Sequence, residues 1–365
     1  MESAKQRLGR WSLHAYALPY ARPVHWSNIV EAGAQFLLLR LESAEGAVGV
    51  AELTAKPTWN GVTLRSLAAA VEEVMMPIVA RADLGDPAEL RVKLDGVPDN
   101  HAAKTLVDNA CWDLHAAAGG APLWRVWGGR SRLPLSWAVT RQAPELMARE
   151  AEDMVARHGF GTLKVKGGQG RDVDVAGMRA IRAAVGESVI VYVDANGFYP
   201  PGEGRDYARA MADAGAVVVE DPCPFAANAE FRALQAGVPV PILVDFYCGG
   251  RVDAGRYVEH GARALSLKPG RWGLSETRAM HLLARAAGLQ TVIGLFGESA
   301  LGTLAALQLG AILPESALAA ETSWYLAMTE QVTALPALRA GLIELPEAAS
   351  LAALVDWDAV KRFAV

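Results

Sequence analysis

The sequence predicts an α/β protein: a (β/α)8 barrel of the TIM type, carrying an N-terminal α+β capping domain that the C-terminal tail completes. Three observations carry this prediction. After LWRVWGG, short apolar runs alternate with amphipathic helical stretches until eight strand units have gone by in about 200 residues, the size of a compact barrel. Five successive runs then stop on an ionisable residue: TLKVK at Lys166, VIVYVD at Asp194, AVVVE at Glu220, PILVD at Asp245 and ALSLK at Lys268. The last four charges are spaced 26, 25 and 23 residues apart, the length of one strand, loop, helix and loop. Such spacing sets them at the same end of parallel strands, where barrel enzymes keep their chemistry. A doubly wound open sheet is the alternative, but no G-x-G-x-x-G or P-loop opens the first unit.

The elements follow in order. WSLHAYALPY, AQFLLLRLES and VGVAEL read as strands, the last two joined antiparallel near Glu45-Gly46. Residues 64–82 and 87–94 read as helices, and HAAKTLVDNACWDLHAAA is an amphipathic helix closed by Gly119-Gly120. LPLSWAVT is the first barrel strand, and an apolar piece at 317–322 is the eighth. The divisions expected are a cap over 1–130, a barrel over 131–330, and a segment over 331–365 that packs back on the cap.

Composition narrows the function. Of 365 residues, 52% are apolar and 21% charged, which is ordinary for a soluble globular chain. A net charge of -5 supplies no basic stripe for nucleic acid. No apolar run follows MESAKQRLGRW as a secretory signal requires, and the most apolar helix, over 301–313, is too short to span a bilayer. Cys111, Cys223 and Cys248 form no C-x-x-C pair and read as small buried residues of a cytoplasmic protein.

Asp194, Glu220 and Asp245 meet at one barrel mouth, where like charges repel and burial makes the repulsion worse. Any one of them alone reads as a helix cap. All three at matched strand ends favour a divalent cation, with Mg²⁺ suited to carboxylates and water. Lys164 and Lys166 alternate along one strand and so share a face. Partial burial beside a cation favours the neutral amine, which makes a lysine a usable general base. Lys268 ends the sixth strand, roughly across the barrel, and Pro269-Gly270 fix its backbone there.

In order along the chain, KVK, VDANG, VEDP, the VD at Asp245, LKPGRWG and GESALGTLAALQLGA resemble the enolase superfamily, specifically its muconate-lactonizing-enzyme subgroup. AKTLVDNACWDLHAAAGGAPLWRVWGG resembles the helix that leads into that family's barrel, so the resemblance spans essentially the whole chain. It implies abstraction or return of a proton beside a substrate carboxylate through a metal-stabilised enediolate, a general pattern of the superfamily and not a result of the spacing. By this resemblance Asp194, Glu220 and Asp245 bind one Mg²⁺ per subunit, with Mn²⁺ as substitute. Lys166 and Lys268 are acid and base on opposite sides of the α-carbon, Lys164 supports Lys166, and the enzyme is a homo-oligomer. The implied reactions are cycloisomerisation, racemisation or epimerisation, or o-succinylbenzoate-type dehydration.

This chain departs from the subgroup at two places. Phe246 and Tyr247 follow Asp245 where an acidic residue and a serine are usual, and strand eight, LAAETSW, lacks the Asp-x-Asp of dipeptide epimerases. Substrate contacts are expected from Arg22, His25 and Trp26 in one cap loop and from Lys56, Trp59 and Asn60 in another. At the mouth they are expected from Asn196, Phe246, Phe296, Glu298, Glu321, Trp324 and Tyr325. Several aromatics with few acids favour a partly hydrophobic carboxylate, although each alone also reads as cap–barrel packing. Glu298 alternatively partners the N-terminus of the helix beginning near Ser299. Two rival functions stand beside this one. Acid-sugar dehydration is opposed by Lys268 and by the lack of histidine in LQTVIGLF, and a catalytically silent carboxylate-binding barrel is opposed by the intact lysines and carboxylates.

Overall fold

A computed structural model describes residues 5–26 and 29–365, the side chains of residues 25, 26, 29, 58 and 60 excepted. Strands β1 (Leu8–Trp26), β2 (Ile29–Ser43) and β3 (Val48–Ala55) form an antiparallel sheet in that order. Period-two alternation sends Leu37, Leu39 and Leu41 of β2 into one core and Phe36 and Leu38 into another, so both faces are buried and the strand reads as an unbroken apolar run. One face meets the cap helices and the other the barrel. The helix His101–Gly119 crosses the sheet so closely at Gly49 that a Cβ there would lie 2.3 Å from the Leu114 nitrogen.

The single helix expected over 64–82 is divided into Leu64–Ala70, a π-helical turn Val71–Met75, and Met76–Val79. Pro77 has no N–H to continue the α ladder, and the change of register falls just before it.

β4 (Arg132–Pro134) and β5 (Trp137–Val139) divide what reads in sequence as one strand. The barrel continues through β6 (Thr162–Lys166), β7 (Ile190–Asp194), β8 (Val219–Glu220), β9 (Ile242–Val244), β10 (Ala264–Leu267) and β11 (Gln290–Ile293). β5 to β11 form one parallel sheet in sequence order. The eighth stave, 318–321, makes too few ladder bonds to form a regular strand, yet it closes the circle. The Leu318 and Glu321 amides donate to Thr291 (2.9 Å) and Ile293 (2.8 Å) on one side. On the other, Ala320 donates to Pro134 (2.9 Å) and accepts from Ser136 (2.8 Å). Inside lies a layer of Tyr192, Val218, Leu243, Ala264, Val292 and Leu318. β12 (Leu338–Arg339) and β13 (Leu342–Glu344) turn back antiparallel onto β4.

The C-terminal tail is tied to the cap through buried Asp113, which accepts from the amides of Val50 (2.9 Å) and Leu351 (2.8 Å) and from the Ser350 hydroxyl (2.7 Å). Cap and barrel are joined by buried Glu52 on β3. It accepts from the Ser299 amide (3.1 Å), the Ser299 hydroxyl (2.5 Å) and the Tyr16 hydroxyl, at the N-terminus of the barrel helix Ala300–Gly310. Among the described residues no helix is long and apolar enough to cross a membrane. Replacing Glu52 by Gln leaves one of these donors facing an amide N–H₂. The variant is expected to lose about 1–3 kcal/mol of stability in urea denaturation, the cost of an unsatisfied buried donor.

Candidate active site

Strand register assembles the centre of the site. Lys166 is paired laterally with Asp194, and Asp194 with Glu220, so three adjacent strands end level with one another. Lys164, one pleat below Lys166 on the same face, is paired with Tyr192. Asp194 Oδ2 lies 2.7 Å from Lys166 Nζ and 3.2 Å from Lys164 Nζ. Lys164 Nζ also stands 2.6 Å from Glu220 Oε2, but off the line that a hydrogen bond requires, so neither Glu220 oxygen has a hydrogen-bond partner. Below it, Glu321 accepts from Lys164 with both oxygens at 3.0 Å, from Tyr192 Oη at 2.6 Å and from the Leu295 amide at 3.0 Å.

These contacts decide the charges. Burial opposes an ammonium on Lys164, but Asp194, Glu220 and Glu321 outweigh it and hold its pKa well above the ordinary lysine value. Burial likewise opposes charge on Asp194, yet Lys164 and Lys166 keep its carboxyl below the usual carboxylate range. Burial, then the neighbouring Asp194 charge, drive Glu220 upward.

Lys268 and Asp245 form a second ion pair, both buried, with Lys268 Nζ against Asp245 Oδ2. Despite its burial, Asp245 is held below its ordinary value, chiefly by Lys268. Gly294, at the end of the neighbouring stave, makes room for this lysine. A Cβ there would fall 2.3 Å from Ser266 Oγ and 2.7 Å from Lys268 Cε. The turn after Lys268 is held from the cap. Thr105 and Asn109 donate to the carbonyls of Arg271 (3.0 Å) and Pro269 (3.1 Å), while Asn109 and Asp108 accept from the amides of Leu274 and Ser275 (2.8 Å each). The polar residues inside the otherwise apolar helix KTLVDNACWD were the available sign of this role.

Among the described residues, one oxygen each of Asp194, Glu220 and Asp221 lies within 4.8 Å of the others, and Asp245, the third residue expected from the strand ends, is paired with Lys268. Asp221 sits at φ +39°, and its side chain lies beside Asp194 and Glu220 instead of on the opposite face. Its oxygens accept from the amides of Asp245 (3.3 Å) and Phe246 (2.7 Å), and burial together with Asp245 and Asp194 pushes it up to about 8. The acidic centre as a whole, with the two orphaned oxygens of Glu220 in it, suits a hard divalent cation.

The other expected contacts divide. Asn196, at φ +50°, fixes Asp194 by donating from its backbone (2.8 Å) and its side-chain amide (3.0 Å). Trp59, Phe246 and Phe296 meet at the mouth, with Trp59 Phe246 and Trp59 Phe296 ring centres 5.7 and 5.6 Å apart. Arg22 points elsewhere, its guanidinium holding Glu150 (2.9 Å) and Thr140 (3.1 Å) and so docking the cap on the barrel. Glu321 lies under the lysine layer and acts on Lys164. Trp324 and Tyr325 are buried, Trp324 stacking on Trp137 at 5.5 Å. Lys56 is buried and paired with Glu31 at 2.8 Å. The side chains of His25, Trp26 and Asn60 lie outside the described residues.

A barrel with acid and lysine at one mouth and an α+β cap above it defines an enzyme architecture in which the two domains share one site. Residues 13–128 match the mandelate racemase / muconate lactonizing enzyme N-terminal domain and residues 146–359 the enolase C-terminal domain-like family, so the chain belongs to the muconate-lactonizing branch of the enolase superfamily. It is 26% identical to the chloromuconate cycloisomerase of Pseudomonas sp. (strain P51), over 95% of this chain and 96% of that one. It is 28% identical to the L-Ala-D/L-Glu epimerase of Clostridium acetobutylicum, over 75% and 78%. The structure superposes on that of the muconate lactonizing enzyme from Mucobacterium Smegmatis complexed with muconolactone with a TM-score of 0.92 at 26% identity, covering 99% of this chain and 100% of that one. The chain is accordingly an enolase-superfamily enzyme of the isomerase or lyase kind.

Glu298 remains. Ser299, not Glu298, caps the following helix, its hydroxyl accepting from the Leu301 amide at 3.1 Å. Glu298 turns back toward the Lys268 turn: Oε2 accepts from the Phe296 amide at 2.8 Å, and Oε1 has no hydrogen-bond partner and abuts Gly270. Burial raises its pKa from 4.5 to about 7. The folded state therefore binds a proton that the unfolded state has released between those values, and stability falls as pH rises through that window. Glu298→Gln is expected to lose less stability than the wild type between pH 5 and pH 8, by on the order of 3 kcal/mol, in urea denaturation at the two pH values.

Proposed function

We propose that this enzyme removes and returns a proton at the carbon beside a substrate carboxylate, with Lys166 and Lys268 as acid and base on opposite sides of that carbon. One observation carries the reading. Lys166 and Lys268 stand on strands that face each other across the barrel, each paired with a different carboxylate of the same acidic centre. A substrate carbon above that centre has one amine on either side. The amine that takes the proton must be neutral at that moment and becomes an ammonium. The lysine opposite, as ammonium, delivers a proton to the other face, and the electron pair rests meanwhile on the substrate carboxylate.

Asp194, Glu220 and Asp245 are the proposed ligands of one Mg²⁺ per subunit, with Mn²⁺ as substitute. Asp221 is left to hold the backbone of Asp245, since both its oxygens already accept amides there. The bound ion supplies positive charge where the substrate carboxylate gains electron density. Lys164, clamped by Glu321, keeps a fixed positive charge under Lys166. The reaction is a cycloisomerisation, a racemisation or epimerisation, or a succinylbenzoate-type dehydration of a partly hydrophobic carboxylate. The names of the relatives, cycloisomerases and epimerases, favour the first two. The proposed working form is a cytoplasmic homo-oligomer, each subunit divided into cap (1–130), barrel (131–330) and tail (331–365).

The test is incubation with Mg²⁺ and a mixed carboxylate library in D₂O, read by mass spectrometry. Deuterium is expected at an α-position with the wild type, and Lys166→Ala and Lys268→Ala are each expected to lower its uptake or the product yield by about 10²–10⁴-fold. A wild type that binds Mg²⁺ by calorimetry yet exchanges and converts nothing would instead mark a carboxylate-binding barrel.

A further inference from the structure

Trp59 comes from the cap, Phe246 from the loop after β9 and Phe296 from the loop after β11. Each is fixed by its own backbone. Trp59 sits on the one-turn helix Pro57–Asn60, closed by Gly61 at φ +71°. The Phe246 amide donates to Asp221 at 2.7 Å, and the Phe296 amide to Glu298 at 2.8 Å. Phe296 is only 4% exposed, but Trp59 and Phe246 remain 37% and 39% exposed beside a buried lysine. Lys268 Nζ lies 4.9 Å from the centre of the Trp59 ring. The Arg271 guanidinium lies 5.9 Å from the Trp59 centre and 5.7 Å from that of Phe246. Three anchored rings, tilted 53° and 44° about Trp59, thus leave open aromatic surface within one side chain's reach of a proposed acid–base group.

We propose that Trp59, Phe246 and Phe296 form a receptor for a flat aromatic ring that the carboxylate substrate bears on a short link from its α-carbon. The inference rests on the proton-transfer reading above for the placement of the α-carbon, and on the ring geometry for the rest. A purely apolar pocket ranks ligands by the area they bury, so a cyclohexyl group does at least as well there as a phenyl group. Tilted aromatic walls add edge-to-face and offset contacts that only another ring can complete, roughly two- to tenfold in affinity. The Lys268 and Arg271 cations beside Trp59 and Phe246 are attracted to these rings and help hold the walls in place. Because the walls are anchored before the ligand arrives, little ordering is required when it binds.

The experiment compares phenylacetate with cyclohexylacetate by calorimetry on the full chain in Mg²⁺. Phenylacetate is expected to bind about three- to tenfold more tightly. Trp59→Leu and Phe246→Leu, which keep an apolar side chain and are verified to be folded by circular dichroism, are each expected to abolish that preference. Equal binding, tighter binding of cyclohexylacetate, binding of neither acid, or a preference that survives in both variants overturns the proposal. A parallel arm follows α-deuterium uptake into N-acetylphenylalanine and N-acetylcyclohexylalanine. Uptake into both at equal rates overturns the ring receptor and leaves proton transfer standing. No uptake in this arm or across the carboxylate library, with the phenylacetate preference intact, overturns proton transfer and leaves the receptor.

Discussion

Five carboxylates, Asp194, Glu220, Asp221, Asp245 and Glu321, are taken out of water inside one barrel, and whatever charge they carry must be answered by groups that are themselves buried. Removing an ion from water costs several kcal/mol, and a partner compensates only when its geometry is close and its remaining hydrogen bonds are met. Lys164, Lys166 and Lys268 provide that answer. Much of the surrounding structure keeps these partners in place. Tyr192 and the Leu295 amide hold Glu321, Asn196 holds Asp194, and Asp221 holds the backbone that carries Asp245. Glu220 is the exception, with no hydrogen bond on either oxygen, and an added cation is most needed there.

The two domains divide the work unequally. The barrel carries all the groups that ionise at the centre, because parallel strands in register bring their ends level. The cap contributes shape. Its sheet is buried on both faces, and its long helix grips the turn behind Lys268 through Thr105, Asp108 and Asn109. A change in that helix therefore reaches Lys268 through the position of the backbone that follows it.

The barrel was legible in the sequence because burial imposes a simple rule on strands: apolar runs of fixed length that stop where the core stops. Charges at those stops, spaced by one unit, located Lys166, Asp194, Glu220, Asp245 and Lys268. What was not legible depends on partner choice across long stretches of chain. Arg22 reads as a ligand-seeking cation, yet Glu150, 128 residues away, engages it. Glu321 reads as a residue of the mouth, but its strand ends one layer lower, under Lys164. Asp221 was not legible because alternation puts it on the face opposite Glu220, whereas in the structure, from a backbone at φ +39°, its oxygens accept the amides of Asp245 and Phe246. Trp324 and Tyr325 lie past the closing stave, where the chain runs under the cap, so their aromatic surface serves packing.

The closing stave has a consequence for how the molecule is assembled. The segment 318–321 is joined to its neighbours by two backbone bonds on each side. Yet it carries Glu321, whose carboxylate is fastened from within to Lys164 and Tyr192 on two staves across the barrel. Opening the seam would draw that charge away from Lys164 and Tyr192 in a nearly dry interior. Mechanical closure and electrostatic assembly are in this sense coupled: shutting the cylinder is what brings the Glu321 carboxylate to Lys164.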